Sequence, residues 1–425
     1  MRTKIESLLA ATLLTNTGKN SVVTFVAITV NTVFSGLFII ILARYLGPAR
    51  LGLFSVGLAL MLTVTGFADW GTGYGILRFV AQNKNAARSY LKLGLLTKLI
   101  FGLLGVIVVA FSGPWLASNI VHQPGLGGLF AVASLGVLGG LLYSFGLVSL
   151  QALEKFVPWG GVQIGWSATR VTILVLLITS GSLNPQTALL AYIVGLFFVF
   201  FGAIPFLPKG FTKAKIDRDQ LNAFFGYNKW MAIYTVLLTI IANADRFFLA
   251  RFSAPAQIGF YVAAVQIAAI GVQVQTALGT VIIPRFASLG SYSPILDYLK
   301  KTVLLTWTLA VGGVVIGLFA KPMVNIIFGD AYQASVVPLQ ILIISSACLL
   351  ASLPFTSIWL YALGRAKSFA LFFIMDTFLL LYLNFLLDPH LGAVGSALAA
   401  LSSNFLLLFT SVVYVRLKLA KALAE

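Results

Sequence analysis

The sequence predicts an all-α polytopic membrane protein, with about twelve transmembrane helices in two pseudo-symmetric six-helix lobes around a central cavity. Three observations predict this fold: an apolar composition, twelve apolar runs of spanning length, and a helix–turn–helix signature that occurs twice. Of 425 residues, 60% are hydrophobic and 9% are charged, and the mean hydropathy is +1.00. Soluble domains carry about 25% charged residues. A chain with 9% charged residues has too few of them to cover a water-facing surface, so the composition excludes a soluble domain.

The twelve apolar runs are each about 20 residues long, which is enough for a helix to cross the hydrocarbon core. They cover residues 20–43, 51–77, 89–111, 126–149, 157–179, 186–206, 224–250, 257–284, 297–319, 336–359, 368–387 and 391–415. Residues 1–19 precede the first run and are too polar to span. We expect them to form a cytoplasmic interfacial segment.

The net charge of +17 arises from 28 Lys and Arg against 11 Asp and Glu. With both termini in the cytoplasm, the cations placed on the outer side are only Arg44, Arg50, Arg246, Arg251 and Lys321. This asymmetry favours a multi-pass protein of the plasma or inner membrane with both termini cytoplasmic. Because most of the positive charge is explained by topology, nucleic acid is not expected as a partner.

The repeated signature is LARYLGPARLGLF (Leu42–Phe54), which recurs as LARFSAPAQIGFY (Leu249–Tyr261) with six identical residues. At the same spacing, Arg78 of the first half corresponds to Arg285 of the second. Two halves that carry one signature indicate a duplicated unit. In membrane proteins such repeats are typical of transporters that move one half against the other.

The duplication divides the chain into an N-lobe (20–207), a cytoplasmic linker (208–220) and a C-lobe (221–425). Six spans in each half is an even number, so both halves enter the membrane from the same side. We therefore expect parallel repeats, related by an axis along the membrane normal.

Each signature predicts a tight turn between two helices. Pro48 and Pro255 lack an N–H group and fix φ, so each ends one helix or begins the next. Arg44 and Arg251 then lie near the C-terminus of a helix, where cations are favoured. These two arginines, together with Arg78 and Arg285, are structural residues of the turns or, alternatively, residues of a gate.

Residues around the signatures carry a resemblance to a known family. LARYLGPARLGLFSVGLAL, the polar FADWGTGYGILRFVAQ (Phe67–Gln82) and NADRFFLARFSAPAQIGFYVAA (Asn243–Ala264) are similar to helices of the polysaccharide and O-antigen flippase family. That family is a branch of the multidrug/oligosaccharidyl-lipid/polysaccharide exporter superfamily. The span count and the short loops agree with this branch over nearly the whole chain.

The resemblance implies a flippase, not an enzyme. Its substrate would be a polyprenyl-diphosphate-linked oligosaccharide, moved from the cytoplasmic to the outer leaflet by alternating access for cell-surface polysaccharide such as the O-antigen of lipopolysaccharide. Membrane lipids and other membrane proteins of polysaccharide biosynthesis are the implied partners. A multidrug or small-solute antiporter of the same superfamily is the alternative, and a membrane glycan polymerase or ligase is the alternative from another class.

Two cations in the first half are candidates for binding this substrate at membrane depth. Arg170 lies near the middle of the fifth run and Lys98 within the third, with Gln163 and Asn31 as polar neighbours in the same half. A cationic cavity there would suit a diphosphate. The alternatives are that Arg170 pairs with a buried carboxylate, that Lys98 reaches the headgroups, and that the amides hold helices together.

Three carboxylates also lie at depth: Asp69, Asp245 and Asp376. Each is a candidate for binding a coupling ion, proton or sodium, because a carboxylate removed from water is stabilised by a bound proton or cation. Each could instead neutralise a buried cation. The sequence predicts no metal centre and no cofactor besides this ion.

The enzyme alternative lacks a recognisable set of catalytic groups. The outer loops are short, as at Gly47–Arg50 and Asp388–His390, and the two histidines, His122 and His390, lie in separate segments. Neither a P-loop nor an HExxH motif is present. The sequence therefore favours a transporter.

Overall fold

The computed structural model describes residues 16–289 and 292–424, and within these ranges the regular structure is helical with no strand. The predicted interfacial segment 1–19 falls mostly outside the described residues. The helices are α1 (Asn16–Asp69), α2 (Thr72–Gln82), α3 (Ala87–Trp115), α4 (Gly127–Ala152), α5 (Phe156–Thr179), α6 (Pro185–Ala203), α7 (Arg218–Phe252), α8 (Pro255–Ser288), α9 (Tyr292–Gly317), α10 (Ala320–Ile327), α11 (Val336–Ser357), α12 (Ala366–Leu391) and α13 (Ala393–Ala424).

Eleven helices in the described part of the chain are long and apolar enough to cross a membrane. The first of them covers 48 residues, Val22–Asp69. At 1.5 Å per residue this is about 70 Å, more than twice the thickness of the hydrocarbon core. It is interrupted at Gly47 (φ 73°, ψ 172°), directly before Pro48, so α1 supplies two spans. The chain is therefore a multi-pass membrane protein, and its described residues supply twelve helical segments of spanning length, the expected number.

The chain forms two compact units. Of the described residues, unit 1 contains 16–46 and 56–243, and unit 2 contains 47–55, 244–289 and 292–424. Most of α7, residues 218–243, thus belongs to unit 1, and the first signature turn belongs to unit 2. The lobe boundaries 20–207 and 221–425 remain a prediction from the sequence repeat.

The two signature turns pack against each other within unit 2. A Cβ placed on Gly52 would overlap the carbonyl of Pro255, and a Cβ on Gly259 would overlap the carbonyl of Pro48. Each repeat thus supplies the glycine that the proline of the other repeat requires. The expected loop Gly47–Arg50 is absent, because one left-handed glycine before proline is enough to redirect the helix.

The second apolar run, predicted as one helix over 51–77, is broken after Asp69. Trp70 (φ 50°) and Gly71 (φ 67°) have left-handed backbone conformations, and α2 restarts at Thr72. The Asp69 carboxylate accepts hydrogen bonds from the Gly73 N–H (3.3 Å) and the Thr72 hydroxyl (3.4 Å). The last side chain before the break therefore caps the helix that follows it.

The prediction of an outer loop at Asp388–His390 was wrong. Helix α12 runs through Pro389 to Leu391, and the chain turns at Gly392 (φ 53°). Pro389 lacks an N–H group, so α12 loses one backbone hydrogen bond near its C-terminus. Asp388 consequently lies inside the helix and is completely buried.

Candidate functional site

Arg170 lies in the interior of unit 1, with 3% of its surface exposed. It shares one face of α5 with Gln163 and Ser167, which are also buried, because these positions are four and three residues apart. This face meets the first half of α1. The Arg170 Nη2 donates a hydrogen bond to the Ser35 hydroxyl, and the Ser167 hydroxyl donates one to the Asn31 side-chain carbonyl. The structure therefore brings together three of the predicted substrate-binding residues.

Aromatic rings surround the Arg170 guanidinium. Its carbon lies 4.0 Å from the centroid of Trp166, 5.4 Å from Phe38 and 5.7 Å from Tyr192. Tyr143 of α4 packs against Trp166, with 4.9 Å between ring centroids. We call Phe38, Tyr143, Trp166 and Tyr192 the aromatic cage. Cation–π contacts of this kind stabilise a charge that has left water.

The aromatic cage leaves two hydrogen-bond donors unused. Arg170 Nε and Trp166 Nε1 are both buried without an acceptor. No carboxylate of the described residues lies within ion-pair distance of Arg170. The alternative prediction, that Arg170 pairs with a buried carboxylate, does not agree with this structure. Unsatisfied buried donors are rare and each calls for an explanation. A ligand with several anionic oxygens would satisfy both.

Lys98 lies in a second polar cluster of unit 1. It is fully buried and forms an ion pair with Asp69, and its Nζ also donates to the Ser144 hydroxyl at 3.2 Å. The two residues were predicted separately, as a substrate-binding cation and an ion-coupling carboxylate. The structure brings them together at the break between α1 and α2, and the roles predicted for them stay predictions.

Unit 2 buries carboxylates. Asp388 is fully buried, and the Ser396 hydroxyl lies 3.0 Å from each of its carboxylate oxygens. Asp245 is close enough for its charge to act on Asp388, and it hydrogen-bonds to the buried Tyr261. A second predicted residue, Asp376, is 8% exposed; it accepts from Ser403 at 2.8 Å and leaves its Oδ1 without a partner.

No Lys or Arg of the described residues lies within ion-pair distance of Asp376 or Asp388. Asn384, one turn before Asp388 on α12, is also buried, with its Oδ1 unpartnered. Asp376 and Asp388 therefore present carboxylate oxygens with no Lys or Arg of the described residues in ion-pair contact. This arrangement suits a small cation or a proton.

The arginines of the turns lie at the surface of their units. Arg44 and Arg285 are exposed. Arg251 is exposed in the last turn of α7, with its guanidinium 5.9 Å from the Phe252 ring. Arg78 is exposed and lies 4.5 Å over the Tyr227 ring. Their predicted role as gate or turn residues stays a prediction.

Sequence reasoning missed Asp388 and the aromatic cage. Asp388 was assigned to a short outer loop between the apolar runs 368–387 and 391–415. Trp166 lies one helical turn before Arg170 and was a detectable signal. Tyr192 and Phe38 come from other helices, and no local pattern connects them to Arg170.

Comparison with known proteins gives a family and a fold. A family model described as polysaccharide biosynthesis protein matches residues 21–337. The chain is 24% identical over 382 residues to a putative O-antigen transporter of Shigella flexneri, covering 84% of this chain and 88% of that protein.

Two solved structures share the fold at low identity. The lipid II flippase MurJ in an inward closed conformation matches with a TM-score of 0.77 at 13% identity, covering 93% of this chain and 87% of that one. An inward-facing multidrug resistance MATE family transporter of the MOP superfamily matches with a TM-score of 0.75 at 12% identity, covering 94% and 98%. These matches confirm the predicted fold class, and the matched family agrees with the resemblance found in the sequence.

Proposed function

Because this chain belongs to the polysaccharide biosynthesis protein family, we propose that it is a flippase for a polyprenyl-diphosphate-linked oligosaccharide. It moves the headgroup from the cytoplasmic to the outer leaflet by alternating access and supplies the synthesis of a cell-surface polysaccharide. The O-antigen transporter relative supports this substrate class. The location is the plasma or inner membrane, with both termini in the cytoplasm.

The observation that carries the proposal is the buried, carboxylate-free Arg170. A guanidinium in the membrane interior is costly, and proteins keep such groups chiefly where they face a partner or a pathway. Here the unused donors Arg170 Nε and Trp166 Nε1 belong to a guanidinium and a ring that are in contact, with 4.0 Å between the guanidinium carbon and the ring centroid. A diphosphate supplies several oxygens, and arginine holds two of them at once through its planar fork.

Binding requires a change within unit 1, because Arg170 is covered in this structure. The contacts from Ser35 and Asn31 on α1 to Arg170 and Ser167 on α5 close the face that holds the guanidinium. Separation of α1 from α5 would expose Arg170 and free these polar groups for the headgroup. In this proposal α1 and α5 separate when the headgroup binds.

A coupling ion, proton or sodium, would bind in unit 2. Asp245 and Asp388 are the proposed ligands, because the Asp245 charge acts on the buried Asp388 carboxylate. Two carboxylates that repel each other gain from a shared proton or cation. Asp376 is the second candidate, with its single unpartnered oxygen. Asp69 is a weaker candidate, since Lys98 already neutralises it.

The experiment is leaflet exchange of a fluorescent diphosphate-linked sugar in liposomes. We expect Arg170→Ala to abolish exchange and Arg170→Lys to retain part of it, because lysine keeps the charge and loses the fork. Arg218→Ala is the matched control, since it removes an exposed arginine of the same unit. Full exchange by a well-folded Arg170→Ala protein would remove Arg170 from the binding site.

The same assay separates the alternatives. A glycan polymerase or ligase would change the mass of the probe, whereas a flippase returns it unchanged. An antiporter of cationic drugs would leave the probe in its original leaflet and transport cationic amphiphiles instead.

The proposed orientation has its own test. A cysteine introduced at Lys213 in a Cys348→Ser background should resist an impermeant thiol reagent added to intact cells. Labelling from outside would contradict the proposed orientation, because Lys213 lies in the linker that the positive-inside rule places in the cytoplasm.

A further inference from the structure

A cavity of about 410 Å³ lies at the end of unit 1 where α2 connects to α3. Three connections form it: the loop between α2 and α3, the end of α4, and the start of the linker after α6. Its polar lining consists of Lys84, Asn85 and Arg88, and its apolar lining includes Leu153 and Pro208. It is separate from the Arg170 site, since none of the residues around that guanidinium lines it.

The two cations of this cavity, Lys84 and Arg88, make few contacts that would stabilise the fold. Nearby Lys92 and Lys155 donate to the carbonyls of Ala214 (2.8 Å) and Phe206 (2.6 Å), which fixes the linker. Arg88, in contrast, has no hydrogen-bond or carboxylate partner among the described residues.

Lys84 has a weak partner. Its Nζ lies 3.8 Å from the Glu154 carboxylate, and both side chains are largely exposed, at 77% and 65%. Pairs of this geometry contribute little to stability. Glu154 lowers the positive charge beside the cavity, but Arg88 remains uncompensated.

The start of α3 adds to the positive potential of the cavity. The helix begins at Ala87 with no side-chain cap and no acidic residue in its first turn. The N–H groups of Arg88 and Ser89 have no carbonyl partner among the described residues. Cations beside a helix N-terminus oppose the helix dipole, so this end is electrostatically unfavourable until an anion binds.

We propose that this cavity binds the phosphate of a lipid headgroup through Lys84, Arg88 and the first N–H groups of α3. A lipid fits better than a free anion, because Leu153 and Pro208 offer apolar surface beside the cations at the end of a spanning helix. Two lipids carry this chemistry: an anionic phospholipid of the bilayer, and the polyprenyl diphosphate of the transported substrate. The proposal goes beyond the flippase function and does not depend on Arg170.

The test measures lipid retention by native mass spectrometry of the purified protein with phosphatidylglycerol, phosphatidylcholine and a polyprenyl diphosphate. Lys84→Gln/Arg88→Gln should weaken retention of an anionic lipid about tenfold and leave phosphatidylcholine unchanged. Lys300→Gln/Lys301→Gln is the matched control, because it removes two exposed cations from unit 2. The charge-preserving Lys84→Arg/Arg88→Lys protein should bind like wild type.

Each outcome decides the question. Selective loss of phosphatidylglycerol assigns the cavity to bilayer lipid, and selective loss of polyprenyl diphosphate assigns it to the substrate. Equal retention by the Lys84/Arg88 and Lys300/Lys301 variants for both anionic lipids would overturn the proposal. If the double variant does not fold, Arg88→Gln alone serves, with a smaller loss expected. Arg170→Ala measured in parallel reports on the flippase site separately.

Discussion

The two units differ in the sign of the charge that they bury. Unit 1 buries two cations, Lys98 and Arg170, and only Lys98 has a carboxylate partner. Unit 2 buries Asp376 and Asp388, and no cation of the described residues neutralises either. A buried charge without a partner is expensive, so its persistence points to a ligand of opposite sign. This difference supports the proposal that an anionic headgroup binds in unit 1 and a coupling cation in unit 2.

Within unit 1 the two buried cations differ in how they are held. Lys98 closes an ion pair at the break between α1 and α2, whereas Arg170 is held by rings and a hydroxyl. Removing Lys98 leaves the Asp69 charge buried, but removing Arg170 leaves no charge behind.

The largest effect is expected on stability. Lys98→Met should lower the free energy of unfolding by about 3–5 kcal/mol, because Asp69 then stays charged without a partner. The double variant Lys98→Met/Asp69→Asn should recover most of this loss, since the amide still accepts from the Gly73 N–H. Unfolding in mixed micelles measures both. If the Lys98→Met protein were as stable as wild type, the Lys98–Asp69 ion pair would not stabilise the fold.

The next effect concerns coupling in unit 2. Asp388→Asn should reduce transport driven by a proton or sodium gradient about tenfold or more, because the ion loses a charged ligand while the Ser396 contact is kept. Asp376→Asn is the matched comparison, as its carboxylate also accepts from a serine. A larger effect of Asp376→Asn would move the coupling site to Asp376.

A smaller effect is expected in the aromatic cage. Trp166→Phe keeps a ring over Arg170 but removes the Nε1 donor and weakens the cation–π contact. We expect a loss of about 1 kcal/mol, or roughly fivefold in headgroup affinity, with little change in stability. Titration of the purified protein with a diphosphate-linked sugar measures it. Unchanged affinity would show that Trp166 only fills space.

The sequence predicted the spans well because hydrocarbon imposes a length and a composition that can be read locally. The fifth run, 157–179, differs by one residue from α5, Phe156–Thr179. The break at Trp70 was not predicted, since it depends on left-handed backbone stabilised by Asp69 and by close packing of Gly71 on α7. Local apolarity carries no information about such contacts.

The sequence predicted the residues of the candidate sites one by one, but it did not predict which of them contact each other. Arg170 and Lys98 stood out equally as cations at depth, and only the fold shows that Asp69 neutralises one of them. The Ser35 and Tyr192 contacts to Arg170 join helices that are distant in sequence. Polar positions could therefore be read from the chain, but their pairing required the packed structure.

The most direct test of the division between the units is binding of a polyprenyl-diphosphate-linked sugar to purified wild-type, Arg170→Ala and Asp388→Asn proteins. Without an ion gradient, Arg170→Ala should lose affinity about tenfold or more, because a charge-assisted contact to the diphosphate is removed. Asp388→Asn should bind within about twofold of wild type, since the proposed headgroup site consists of unit 1 residues alone. Wild-type affinity in Arg170→Ala, or an equal loss in Asp388→Asn, would contradict the assignment of the anion to unit 1.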